Sequence, residues 1–82
     1  MLEERVKLAF DLAIAGQKEY ARNILRDILR QDQDNALAWS AYARVAKNRE
    51  QAVHALEQML RIRPNNEWAR EGLQKLERDK FP

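Results

Sequence analysis

His54 is the one histidine in this 82-residue chain, and any search for chemistry begins with it. Imidazole changes charge nearer neutrality than any other unperturbed side chain, so a histidine can serve as acid–base catalyst or metal ligand. Either role needs polar partners, and His54 stands between Val53 and Ala55 in a helical run. Its expected place is an exposed helix surface. The acids of Asp32-Gln33-Asp34-Asn35 resemble the start of a calcium loop. That loop requires glycine at its sixth position and a bidentate glutamate at its twelfth. Leu37 and Ala43 stand there, so the reading fails. Gly16 is isolated and builds no phosphate cradle, and Ser40, the only serine, has no histidine near it in sequence. No catalytic, cofactor-binding or metal-binding residue is expected, and the chain reads as a protein without enzymatic activity.

Composition bounds the remaining possibilities. The chain is 45% hydrophobic and 34% charged, with two glycines and two prolines. Ala, Leu, Glu, Lys, Arg and Gln are prominent, and these are strong helix formers. One small domain spanning 1–82 is expected, of modest stability, because a chain this short buries only about 60–65% of the surface it exposes when unfolded. The absence of cysteine removes disulfides and thiolate metal sites and is compatible with a cytoplasmic location. Lys and Arg exceed Asp and Glu by two, 15 against 13. This surplus is interspersed along the chain and reads as solubilising charge, so no nucleic-acid partner is expected. No apolar run approaches the ~18 residues of a membrane helix. Met1-Leu2-Glu3-Glu4-Arg5 has acids where a signal peptide carries bases, and no membrane partner is expected.

The organisation emerges when the chain is laid over itself. At a displacement of 31, 18-KEYARNILRDILRQDQDNALA-38 falls on 49-REQAVHALEQMLRIRPNNEWA-69. Ala21 meets Ala52, Leu25 meets Leu56, Ile28 meets Met59, and Asn35 meets Asn66. The earlier part matches at a displacement of 34, with Leu8 over Tyr42, Ala9 over Ala43 and Leu12 over Ala46. The difference of three residues is expected in the connection between the helices of the second unit, where the first has Gly16-Gln17-Lys18. A helix–turn–helix unit of about 34 residues belongs to the solenoid class.

Helix signals divide the units further. Val6, Ala9, Phe10, Ala13 and Ile14 follow a helical rhythm that Gly16 ends. Asn35 and Asn66 are expected N-caps. Asn48 is expected to turn the chain alone, in the left-handed conformation, while Asn48-Arg49-Glu50-Gln51 resembles a capping box. The predicted helices are 2–15, 18–31, 36–47, 49–62 and 67–79. Tyr20 is expected to pack beside the first turn, Leu8 and Leu12 to fill the core, and Trp39 to wedge between the units.

These residues resemble the tetratricopeptide repeat, whose signature runs W-x2-L-G-x2-Y, then A-x3-F, then P. The second unit reads Trp39-x2-Tyr42-Ala43-x2-Ala46, then Ala52-x3-Leu56, then Pro64. The first reads Arg5-x2-Leu8-Ala9-x2-Leu12, then Ala21-x3-Leu25, then Gln33. Arg5 and Gln33 depart from the pattern. The resemblance implies an all-α, right-handed superhelix of five antiparallel helices, with repeat one at 2–35, a shortened repeat two at 36–66 and a capping helix at 67–80.

It also implies that the first helix of each hairpin lines a concave groove. Projected onto this chain, the expected partner-binding groove comprises Val6, Phe10, Ser40, Arg44, Lys47, Trp68, Glu71 and Lys75, with Glu3, Ala13 and Leu37 beside them. Phe10 and Trp68 either anchor a ligand there or pack on neighbouring helices. The chaperone-tail binders of the family use a carboxylate clamp whose positions fall at Val6, Phe10, Ala41, Trp68 and Gly72. None matches, so that ligand is not expected. The implied function is protein–protein interaction, a scaffold taking a peptide or partner helix. The alternative is structural self-association, as a homodimer or larger homo-oligomer.

Overall fold

The computed structural model describes residues 2–78. It contains helices α1 Leu2–Ile14, α2 Lys18–Gln31, α3 Ala36–Val45, α4 Arg49–Ile62 and α5 Glu67–Arg78, and no strand among the described residues. The expected extension of the last helix to residue 79, and of its unit to 80, lies outside them. Among the described residues no helix is long and apolar enough to cross a membrane.

Three asparagines start three of these helices. The Oδ1 atoms of Asn35, Asn48 and Asn66 accept from the backbone N–H groups of Ala38, Gln51 and Ala69 at 3.0, 2.9 and 3.1 Å. Each satisfies a donor that the first helical turn leaves without an intrahelical partner.

The join ahead of α3 is repeated ahead of α5. Asp32 N–H donates to the Ile28 carbonyl at 2.8 Å, and Arg63 N–H donates to the Met59 carbonyl at 2.8 Å. Asn35 N–H then reaches Asp32 at 3.3 Å, as Asn66 N–H reaches Arg63 at 3.1 Å. Each pair is displaced by 31 residues. The same turn is therefore built from Gln33-Asp34 and from Pro64-Asn65, and proline is not required for it.

The exit from α1 is of another kind. Gly16 adopts φ +86°, while Gly16 N–H donates to the Ala13 carbonyl at 3.1 Å and Gln17 N–H to the Leu12 carbonyl at 2.8 Å. This pair of bonds around a left-handed residue is the Schellman motif, in which glycine escapes the Cβ penalty.

The shortening of the second unit lies elsewhere than the sequence suggests. Residues 15–17 join α1 to α2, and residues 46–48 join α3 to α4, so both connections have three residues. It is α3 that is short, ten residues against thirteen for α1, and it ends at Val45 instead of the expected residue 47. Without a glycine, the chain leaves α3 through Ala46 at φ −55°, ψ 137°. Asn48 is extended, at φ −151°, ψ 173°, not left-handed. The capping box is shifted too, since Gln51 Oε1 accepts from Lys47 N–H at 2.8 Å and not from Asn48. Arg22 closes the C-terminal end of α3 by donating to the Val45 carbonyl at 2.6 Å, a favourable place for a cation at a helix C-terminus.

Each helix packs on the next along the chain, and α1 also touches α3. Leu25, Ile28, Ala38, Ala41, Tyr42 and Val45 form the centre of one buried cluster, and Leu56, Met59 and Ala69 form another. Trp39 and Ala43 pack against both, so Trp39 bridges the two clusters. It is half-buried, and its Nε1 donates to the Gln33 carbonyl at 2.8 Å.

Two expected core or packing residues face outward, with Leu8 49% and Tyr20 66% exposed. Leu8 aligns with Tyr42, which is 8% exposed. The difference lies in neighbours: α3 has α2 before it, whereas α1 is the first described helix.

Candidate functional site

The α3 surface carries Leu37 and Arg44 as exposed side chains, with half-buried Ser40 between them, while exposed Lys47 lies beyond the helix end in the connection to α4. Positions separated by three and four residues share a helix face, so Leu37, Ser40 and Arg44 form one stripe. Leu37 is 59% exposed, an apolar side chain standing in water at the head of that stripe. Ser40 Oγ donates to the Leu37 carbonyl of its own helix at 2.7 Å, so its hydroxyl proton is already engaged.

Across from this stripe, α5 presents Trp68, Glu71 and Lys75, all exposed. The Arg44 guanidinium lies 5.1 Å from the Trp68 ring centroid, within the distance at which a cation is attracted to an indole face. Among the described residues no Cα of α3 lies within 8 Å of one in α5. The pair therefore spans a furrow between two helices whose backbones do not meet.

The contribution expected from α1 is largely absent. Val6 is 1% exposed and belongs to the core, so it is not a groove residue. The cause is the contact of α1 with both α2 and α3, which turns the Val6–Ala9 face inward. Phe10 is half-buried and packs against the same cluster, which leaves only part of its ring for a ligand. Of the eight expected groove residues, Arg44 and Trp68 are brought together from two different helices.

A second surface feature was not anticipated. A cleft of about 790 Å³ opens between α2 and α4, with Trp39 and Tyr42 of α3 at its base. None of the eight expected groove residues lines it. Arg26 and Arg30 stand on its α2 side, and Gln51, His54 and Gln58 on its α4 side. The Trp39 ring meets Tyr42 edge-on at 6.2 Å and His54 edge-on at 5.3 Å, geometries favoured by the quadrupoles of aromatic rings. His54 is exposed, as expected, but it is the outer member of an aromatic trio. The spacing of Arg22, Arg26 and Arg30 places three cations on one face of α2, and that much is visible in sequence. The convergence of α2 and α4 on Trp39 depends on tertiary packing.

Among the described residues, ion pairs are few and exposed. Asp34 accepts from Arg61 at 2.8 Å, tying the turn before α3 to the end of α4. Asp27 pairs with both Arg5 at 3.5 Å and Arg30 at 3.4 Å. Exposed pairs of this kind contribute about 0–1 kcal/mol each.

No family model, no curated protein and no solved structure matches the chain.

Proposed function

We propose that this protein is a non-catalytic interaction module, with the architecture of two tetratricopeptide-like hairpins and a capping helix in a right-handed superhelix. It binds a peptide or partner helix along the furrow between α3 and α5. The repeated turn at a displacement of 31 residues supports the repeat reading. The observation that carries the binding reading is the Arg44–Trp68 pair, exposed and spanning the furrow, with Leu37 in water on the same helix. Arginine and tryptophan are among the residues most often found as interface anchors. Lys47 and Lys75 add positive charge, so the fitting ligand carries apolar side chains with an acidic residue.

The test is a pull-down with the immobilised chain, comparing wild type with Arg44→Glu and Trp68→Ala. The expected result is a set of proteins retained by wild type and lost from both variants, with helicity by circular dichroism unchanged. Equal retention by all three would overturn the reading.

Self-association has one observation in its favour. Leu8 is exposed on α1 in the register where Tyr42 is buried on α3, and such a face can be covered by another copy. Sedimentation equilibrium decides: a concentration-independent mass near the 9.7 kDa of one chain removes this second reading.

A further inference from the structure

We propose that the cleft between α2 and α4 is a second binding site, which takes an acidic polypeptide segment carrying an aromatic side chain. It shares no residue with the α3–α5 furrow, so neither reading depends on the other.

The α2 wall carries more positive charge than its surroundings compensate. Arg26 and Arg30 are four residues apart on one helix face, where like charges repel. Arg26 donates to the neutral Asn23 Oδ1 at 3.3 Å and has no carboxylate within ion-pair distance among the described residues. Arg30 has Asp27 at 3.4 Å, but that carboxylate is shared with Arg5. A carboxylate entering the cleft would relieve the repulsion and could take paired N–H bonds from a guanidinium.

The α4 wall has a matching bias. Gln51 Oε1 is occupied by Lys47 N–H at 2.8 Å, and Gln58 Oε1 by Arg61 Nε at 2.8 Å. Both amides therefore have their NH₂ groups left to give. The Gln33 carbonyl at the cleft's end already accepts from Trp39 Nε1 at 2.8 Å and Arg61 at 3.4 Å. Arg26, Arg30 and the two amides thus offer donors, and Glu50 is the one acid among the residues lining the cleft, against two arginines. Peptide carbonyls and carboxylates are the complement.

The floor supplies the apolar contact. Trp39 is held by its bond to Gln33, and the exposed His54 ring stands edge-on against it. A ligand aromatic ring can join this group at a separation of about 4.5–7 Å between centroids. A nucleic-acid strand would also bring negative charge and rings. Two arginines among the lining residues are too few to track a phosphate backbone, which is bound by neutralising several successive phosphates. The geometry favours the peptide.

The experiment follows amide and indole N–H resonances of ¹⁵N-labelled protein during titration with the blocked pentapeptide Glu-Asp-Phe-Asp-Glu. Parallel titrations use Glu-Asp-Ala-Asp-Glu, Lys-Lys-Phe-Lys-Lys and hexauridylate. The expected result is saturable shifts of the Trp39 indole N–H and the Gln51 and Gln58 side-chain amides. Both control peptides should bind at least about tenfold more weakly, a difference of roughly 1.4 kcal/mol. Arg26→Gln and Arg30→Gln, which keep much of the side-chain length, should each weaken the first peptide about threefold or more. Lys7→Glu, on exposed α1 surface, should leave its affinity unchanged. Shifts confined to Arg44 and Trp68, no saturable shift, equal binding of the lysine peptide, or tighter binding of hexauridylate would each overturn the proposal.

Discussion

Arg44 on α3 holds its guanidinium 5.1 Å from the Trp68 ring centroid on α5, across a gap that the two backbones leave open. Trp68 is 45% exposed, so the contact is solvated and of the weaker sort. Arg44→Met keeps much of the aliphatic stem and deletes the charge. It should cost about 0.5–1 kcal/mol, the range for cation–π contacts at exposed sites. Urea unfolding measures it, and faster amide exchange confined to α5 would show that the pair helps dock that helix.

Trp39 carries a larger load because it packs against both buried clusters and also donates a hydrogen bond. Trp39→Ala should destabilise by about 3 kcal/mol, the lower end of the range for aromatic truncations, since the ring is only half-buried. Trp39→Phe separates the two contributions. It keeps most of the packing and loses the bond to Gln33, at a cost of about 1 kcal/mol. Equal losses in the two variants, measured by denaturant midpoint at constant slope, would show that packing contributes little.

Much of this was legible from residues with a local job. Asn35 and Asn66 cap their helices as expected, because a short polar side chain reaches its own third backbone N–H without help from the rest of the fold. The displacement of 31 reappears as two copies of one turn for the same reason. What failed depended on neighbours. Leu8 and Tyr42 sit in one register, yet among the described residues only the helix of Tyr42 has another helix before it. Val6 moved from a presumed groove to the core because α1 faces α2 and α3 together. The missing three residues proved to lie in α3, since two connections of equal length join helices of unequal length. The cleft beneath Arg26 and Arg30 had no signal beyond arginines four apart, which ordinarily mark a solvated face.

That difference of neighbours can be measured directly. Leu8→Ala removes atoms from a half-solvated side chain and should cost less than about 1 kcal/mol, well below the roughly 2–5 kcal/mol of a buried leucine. Leu25→Ala, at a fully buried position, should fall in that upper range. A loss for Leu8→Ala equal to that of Leu25→Ala, and growing with protein concentration, would mean that another copy covers α1.

The three asparagine caps should behave alike in kind. Asn35→Ala, Asn48→Ala and Asn66→Ala each remove an acceptor from a first-turn N–H group, at about 1 kcal/mol apiece. Replacement by Asp keeps the acceptor and adds a negative charge at the positive end of the helix, so it should restore the loss or exceed it. Thermal unfolding is the readout, with roughly 4–8 °C per kcal/mol for a domain of this size.

The two glycines make opposite demands, and alanine scanning should distinguish them. At Gly16 a Cβ would meet nothing within 4 Å, so space is not the obstacle. The obstacle is the backbone at φ +86°, where an L-residue suffers a clash with its own carbonyl worth about 1–2 kcal/mol. Gly16→Ala should lower stability by that amount, while Gly16→Asn, which tolerates the left-handed region, should lose less. At Gly72 the backbone is helical, and alanine would gain up to about 1 kcal/mol of helix propensity. Its Cβ, however, would stand 3.1 Å from Leu56 Cδ1, at the contact that seats α5 on α4. The gain and the crowding oppose each other, so Gly72→Ala should fall short of the full propensity gain. Combining it with Leu56→Val, which shortens the obstructing side chain, should recover part of the difference. A double variant no better than the sum of the two single changes would show that Leu56 can swing aside without cost.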